Sequence, residues 1–243
     1  MSKRLDMTVE EQFKQIGGEF LLPFNIFRER LKKVKVFLFD WDCVFNDGIK
    51  SGAGGSPFSE ADSMGINLLR FGYYLTHSKL PHTGIITGEN NGPAFYLAKR
   101  EHFDTVHFKF KHKVDALEHL AKHYNVSAEE VAFVFDDVLD VALAKEVALR
   151  LMVRRDSSPL FEEYTRSKGI CDYIAGNAGK DHAVREVCEL MIGAAYDYDK
   201  VVDSRVAFAE DYQSYLSERS EVKTSFFKNE GGDVVELPFE SLS

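Results

Sequence analysis

The run of residues 34–39, VKVFLF, stops at Asp40, and Asp42 follows two positions later. Such a β-branched and aromatic run is expected to form a buried strand. Two carboxylates at the end of a core strand bring charge to the edge of an apolar interior. That charge is costly unless a cation or protons offset it. The feature therefore predicts a metal or acid–base site at the C-terminal end of a central strand.

The rest of the chain is expected to supply a sheet around that strand. Residues 1–33 read as a helical extension, opened by a Thr8/Glu11 capping box and divided by Pro23. Strands are expected at 83–86, 131–135, 149–153 and 171–174. Helices are expected at 63–78, 93–101, 112–124, 138–147 and 159–167, and from 181 to 196 with an extension toward 218. Ser127 and Glu130 form a second capping box over a single turn. The Gly/Ser-rich stretch 46–60 reads as a loop or small β-hairpin flap. Residues 228–243 read as an arm or a loosely held edge element. This alternation predicts an α/β fold with a mostly parallel sheet between helices, a three-layer Rossmann-like architecture. The expected division is an extension over 1–33, a main domain over 34–196 and a C-terminal helix and tail over 197–243. In such folds ligands bind beyond the C-terminal ends of the strands. Asp40 and Asp42, Thr87, and Asp136 with Asp137 should then share one sheet edge.

Composition narrows the function. With 243 residues, the chain is long enough for one large domain, and 44% hydrophobic content suits a globular core. A net charge of −9 without a compensating Lys/Arg run argues against nucleic-acid partners. No stretch is apolar enough for a membrane helix, and the first residues lack a signal-peptide core. Three cysteines, Cys43, Cys171 and Cys188, without paired spacing suggest reduced thiols and a cytoplasmic protein.

A lone DxD is a weak signal, but here it has company: ITG at 86–88, Lys113 at the start of a helix, and DDVLD at 136–140. Phosphoryl transfer through an aspartyl-phosphate needs such groups. One carboxylate attacks phosphorus (Asp40), and a second moves protons (Asp42). A hydroxyl and an ammonium hold phosphate oxygens (Thr87, Lys113). A hard cation, Mg²⁺, bridges carboxylates and phosphate, and Asp136 completes its protein ligands. This set resembles the haloacid dehalogenase-like phosphatase superfamily, in particular the 3-deoxy-D-manno-octulosonate 8-phosphate and nonulosonate 9-phosphate phosphatases. HAVREVCEL at 182–190 adds to the likeness, which covers roughly residues 34–192.

The resemblance implies a Mg²⁺-dependent phosphatase acting on a small sugar-acid phosphate ester. It assigns Asp40 as nucleophile and Asp42 as general acid/base. Thr87, Gly88 and Lys113 would bind phosphate. Asp40, the Asp42 carbonyl and Asp136 would hold the metal, with Asp137 and Asp140 in support. It also implies a homotetramer whose neighbouring subunits close the site. The short gaps between motifs leave no room for a separate cap domain, which needs roughly 50 residues or more.

The chain departs from the family pattern at four places. Cys43 and Phe135 stand where glycine is usual, Glu89 where a basic residue is common, and Gly179-Lys180-Asp181-His182 where the family has Gly-Gly-Arg-Gly. Cys43, Phe135 and Glu89 motivate the competing expectation of a weakened or inactive relative that binds metabolites or organises oligomers. A receiver domain has the acidic pair first, the opposite order. Asp137 and Asp140 can also be read as helix caps. His119 and His123 read as a solvated helix face, since no third ligand is evident. Cys43 lacks a histidine partner in sequence and is not expected to be a nucleophile.

Overall fold

In the computed structural model, which describes residues 7–50 and 55–242, one nine-stranded sheet organises the chain. The strands are β1 (Glu19–Phe20), β2 (Val36–Phe39), β3 (His82–Ile86), β4 (Thr105–Phe108), β5 (Val131–Phe135), β6 (Leu149–Met152), β7 (Tyr173–Ile174), β8 (Ser225–Glu230) and β9 (Asp233–Leu237). Their spatial order is β1-β7-β6-β5-β2-β3-β4-β8-β9. Among the described residues only the outermost pairs, β1 with β7 and β8 with β9, are antiparallel.

β2 lies between β3 and β5, parallel to both. All four of its residues are buried. Alternation along the strand sends Phe37 and Phe39 into one apolar core and Val36 and Leu38 into the other. Each fully buried Phe or Leu contributes about 1.5–3 kcal/mol by leaving water. The first core is roofed by helices α2 (Phe24–Leu31), α3 (Glu60–His77), α4 (Gly92–Arg100) and α8 (Ala183–Ala195). The second is covered by α5 (Val114–Tyr124), α6 (Val141–Glu146) and α7 (Pro159–Ser167). After β2 the chain builds outward through β3 and β4, then returns to build β5, β6 and β7 on the other side. The crevice where the direction reverses, between β2 and β5, is the expected ligand position in such a sheet.

The three-layer α/β fold with a mostly parallel sheet agrees with the sequence reading. Among the described residues no cap domain interrupts it: α3 alone separates the β2 loop from β3. The tip of the expected hairpin flap, residues 51–54, lies outside the described residues. Its flanks, 46–50 and 55–59, contain no strand.

Three further differences have physical causes. β4 escapes the sequence reading because TVHF is short and carries a histidine. The long helix expected after residue 181 is three: α8, α9 (Tyr198–Val206) and α10 (Glu210–Glu221). The breaks fall where Asp197 caps α9, accepting the Lys200 N–H at 3.0 Å, and where Phe208 turns left-handed at φ 49°. The C-terminal segment is a hairpin added to the sheet, with β8 parallel to β4. Its two-residue turn, Gly231-Gly232, has φ of +67° and +110°, the backbone that a tight hairpin requires and glycine permits. At the other edge, β1 joins the N-terminal segment to the same sheet, between α1 (Val9–Gln15) and α2.

α3 packs closely on α8 through Gly65. A Cβ there would lie 3.0 Å from the Arg185 Cα, with backbone as the obstacle. Asp62, one turn earlier, accepts the Arg185 N–H at 2.9 Å. Gly65→Val should therefore cost about 1–3 kcal/mol through overpacking. Gly92→Ala, where an added Cβ meets nothing within 4 Å, should stay within about 0.5 kcal/mol. Denaturant titration checks both.

Candidate active site

The loops after β2, β3 and β5 meet over the crevice. Asp40 follows β2 directly and is held to the sheet edge, its N–H donating to the Val134 carbonyl at 2.9 Å. Trp41 then dives into the first core, stacking on Phe45 with ring centroids 4.7 Å apart. Its indole N–H donates to the Ser56 carbonyl at 3.2 Å. The buried tryptophan pins the stretch between the two aspartates.

Asp40, Asp136 and Asp140 form a buried cluster, with one carboxylate oxygen from each lying within 4.8 Å of the others. Among the described residues two side-chain cations pair with it. Lys113, at the start of α5 and almost wholly buried, donates to Asp40 and, at 2.5 Å, to Asp140. Arg155 donates to Asp136 and, at 3.0 Å, to Asp137. Burial pushes the Asp40 carboxyl above the usual carboxylate range, the Asp140 charge adds to this, and Lys113 opposes it. Asp136 is pushed up by burial and by the Asp40 and Asp140 charges, against Arg155. For Lys113, burial works against the ammonium, but Asp140 and Asp40 prevail and hold its pKa raised. Three buried carboxylates with two of their acidities suppressed are a donor set suited to a hard cation.

Asp42 takes no part in this cluster. Its carboxylate accepts from Lys50 at 2.5 Å, Ser56 Oγ at 3.0 Å and Asn91 Nδ2 at 3.1 Å. Asn91 also donates to Thr87 Oγ1 at 3.0 Å and accepts from Lys50 at 3.0 Å. It thereby ties the loop after β2 to the loop after β3. Thr87 is buried, and its N–H donates to the His107 carbonyl at 2.8 Å. Gly88 follows on the same loop; a Cβ there would meet only the Phe110 carbonyl, at 3.9 Å. Asp137 accepts the Val138 N–H at 2.6 Å, and Asp140 accepts the Asp137 N–H at 3.2 Å, so both cap the short turn after β5. Capping and site roles coincide at Asp140, because its other oxygen anchors Lys113.

The departures from the family pattern now have places. Cys43 has φ 64°, the left-handed region that favours glycine, so a side chain there carries strain of order 1 kcal/mol. Burial first, then the nearby Asp136 charge, pushes its thiol up to about 11, which removes it as a nucleophile near neutral pH. Strand alternation sends Phe135 into the second core, stacked on Phe133 at 5.8 Å. Glu89 is paired with Lys109 at 3.1 Å. Gly179 presses so close to the loop after β2 that a Cβ would lie 2.3 Å from the Cys43 carbonyl. His119 and His123 are less free than a solvated face. Their rings stack at 4.4 Å, and His119 lies 3.1 Å from the buried His107 and against Phe227 of β8.

Sequence reading missed Lys50, Asn91 and Arg155. None follows a strand in the acidic pattern, and Arg155 reaches Asp136 only because β6 runs beside β5. A cavity of about 600 Å³ opens beside the cluster, lined by Cys43, Asn46, Arg154, Arg155, Asn177 and Lys180 among others.

No family model matches the chain. Several solved structures do. The 3-deoxy-D-manno-octulosonate 8-phosphate phosphatase of Moraxella catarrhalis, in complex with magnesium, phosphate and KDO, is 24% identical with a TM-score of 0.61, over 74% of this chain and 98% of that one. The Yersinia pestis phosphatase of the same name is 25% identical with a TM-score of 0.56, over 73% and 89%. The cobalt-bound Haemophilus influenzae deoxy-D-mannose-octulosonate 8-phosphate phosphatase is 20% identical with a TM-score of 0.56, over 68% and 91%. In fold the chain is a haloacid dehalogenase-like protein, and the phosphatases among its neighbours support a phosphoric monoester hydrolase.

Proposed function

We propose that the chain is a Mg²⁺-dependent phosphatase of a small phosphorylated sugar acid, working through an aspartyl-phosphate. The observation that carries this reading is Asp40: a buried carboxylate at the end of the central strand, held by Lys113 and facing Asp136 and Asp140. The Moraxella neighbour, which holds magnesium, phosphate and KDO, supports the cation and the substrate class. Asp40, the Asp42 carbonyl and Asp136 would hold the cation. When bound, it would offset their charge and that of the phosphoryl oxygens.

In the first half-reaction an Asp40 oxygen bonds to phosphorus and the ester P–O bond breaks. The leaving oxygen takes a proton from Asp42. Water, losing a proton to Asp42, then attacks phosphorus, which frees inorganic phosphate and restores the Asp40 carboxylate. Thr87, Gly88 and Lys113 hold the phosphoryl oxygens, and Asn91 keeps Thr87 and Asp42 in mutual position. A tetramer in which neighbouring subunits cover the capless site is part of the proposal. The competing reading, a weakened relative, draws on Cys43 in its strained conformation and on Arg155 seated on Asp136.

Mg²⁺-dependent phosphate release from a panel of sugar-acid and simple sugar phosphates separates the two readings, with no release favouring the second. Asp40→Asn should abolish turnover. Asp42→Asn should lose on the order of 10²–10⁴ in rate. Full activity in either variant rejects the mechanism.

The raised carboxyls give a second check. A carboxyl whose pKa is raised on folding binds its proton more tightly in the native state. The metal-free protein should therefore lose stability as pH climbs from the ordinary carboxylate range, near 4, through the raised values of Asp40 and Asp136. A cation needs those groups ionised, so its stabilisation should grow over the same interval. At about 100 times its Kd, Mg²⁺ is worth ~2.7 kcal/mol, or roughly 5–10 °C in Tm for a chain of this size. Thermal unfolding with and without Mg²⁺ should show a larger shift at pH 8 than at pH 5.5; an equal or smaller shift at pH 8 counts against the assignment.

A further inference from the structure

We propose that Arg155 is a built-in competitor for the divalent cation, seated on Asp136 in the metal-free chain and displaced when a cation binds. The inference rests on the metal-site reading above. The Asp136 side chain is 3% exposed, and one guanidinium nitrogen of Arg155 donates to its Oδ2 while the other reaches Asp137 Oδ2 at 3.0 Å. A planar fork across two carboxylates is the arrangement guanidinium favours. An Oδ2 in that contact is screened from a cation that needs its ligands at about 2.0–2.1 Å.

Arg155 also has somewhere to go. It stands on the loop after β6, is half-buried, and lines the cavity of about 600 Å³ beside the cluster. Lys113 has no comparable exit, since it is almost wholly enclosed between Asp40 and Asp140. The two cations therefore divide roles: Lys113 is permanent, and Arg155 is exchangeable. Arg155 is a positioning residue that holds Asp136 in place until metal arrives.

A site open a tenth of the time weakens apparent affinity about ten-fold, so removing the competitor should tighten binding by roughly that factor. Calorimetric titration of the full chain with MgCl₂ provides a readout independent of turnover. Arg155→Gln should tighten Mg²⁺ about ten-fold. Lys180→Gln removes a positive charge from the same cavity wall and should change affinity by less than about three-fold, the difference isolating contact from general electrostatics. Arg155→Lys keeps the charge but not the fork, so it should tighten binding by a smaller factor; it serves if the glutamine variant does not fold. Asp136→Asn should abolish binding. Unchanged or weaker affinity in the folded Arg155 variants, with Asp136→Asn still inactive in binding, overturns the inference alone. Equal tightening by Lys180→Gln overturns it too. Wild-type affinity in Asp136→Asn, or no Mg²⁺ binding by wild type and Arg155→Gln alike, overturns the metal-site reading itself.

Discussion

The structure depends on keeping like charges together where water is nearly excluded. Asp40, Asp136 and Asp140 sit at the mouth of the crevice between β2 and β5, and each buried carboxylate costs several kcal/mol unless it is paired. Lys113 pairs with Asp40 and Asp140, and Arg155 with Asp136. Removing Lys113, which is almost wholly buried, would cost about 3–5 kcal/mol, because the charges left behind have no water to turn to, whereas the half-buried Arg155 holds its partner less tightly. The loops that carry these residues are therefore fixed by electrostatics as much as by packing.

That constraint links the sheet to the chemistry. β2 is buried on both faces, so its end is a rigid platform, and Trp41 anchors the next residue into the core. The platform holds Asp40 while the chain leaves along a tight, partly left-handed path through Cys43. Asn91 and Lys50 tie Asp42 to the loop that carries Thr87. The first carboxylate is thus locked in a dry cluster braced by Lys113, while the second lies in a more polar and solvated network. Two aspartates two residues apart acquire different environments, which is what nucleophilic and proton-moving roles require.

Much of the fold was legible in advance. Apolar runs marked β2, β3, β5 and β6, and both capping boxes formed where Thr8/Glu11 and Ser127/Glu130 stand. The strands that were missed are short or peripheral. β1 has two residues, and β4 has its histidine buried beneath Phe227 of the C-terminal hairpin. That histidine looks polar in sequence and becomes core only once β8 lies beside it. The segment after residue 228 looked like a loose arm because β9 is mostly exposed and alternates weakly, and because it joins the sheet only through β8, whose own partner β4 lies far earlier in the chain.

The sequence by itself determined which residues end the central strands. A strand's hydrophobic run and the carboxylates or hydroxyl that follow it are local facts, so sequence alone places Asp40, Thr87 and Asp136 on one edge. Tertiary structure decided the partners. Lys113 meets Asp40 across 73 residues and Arg155 meets Asp136 across 19. No local pattern marks which lysine or arginine will arrive, because long, flexible cationic side chains are common and their destination depends on strand order. The same order turned Cys43 from a simple replacement into a left-handed residue beneath Gly179, and gave the carboxylate cluster a positive charge that can leave.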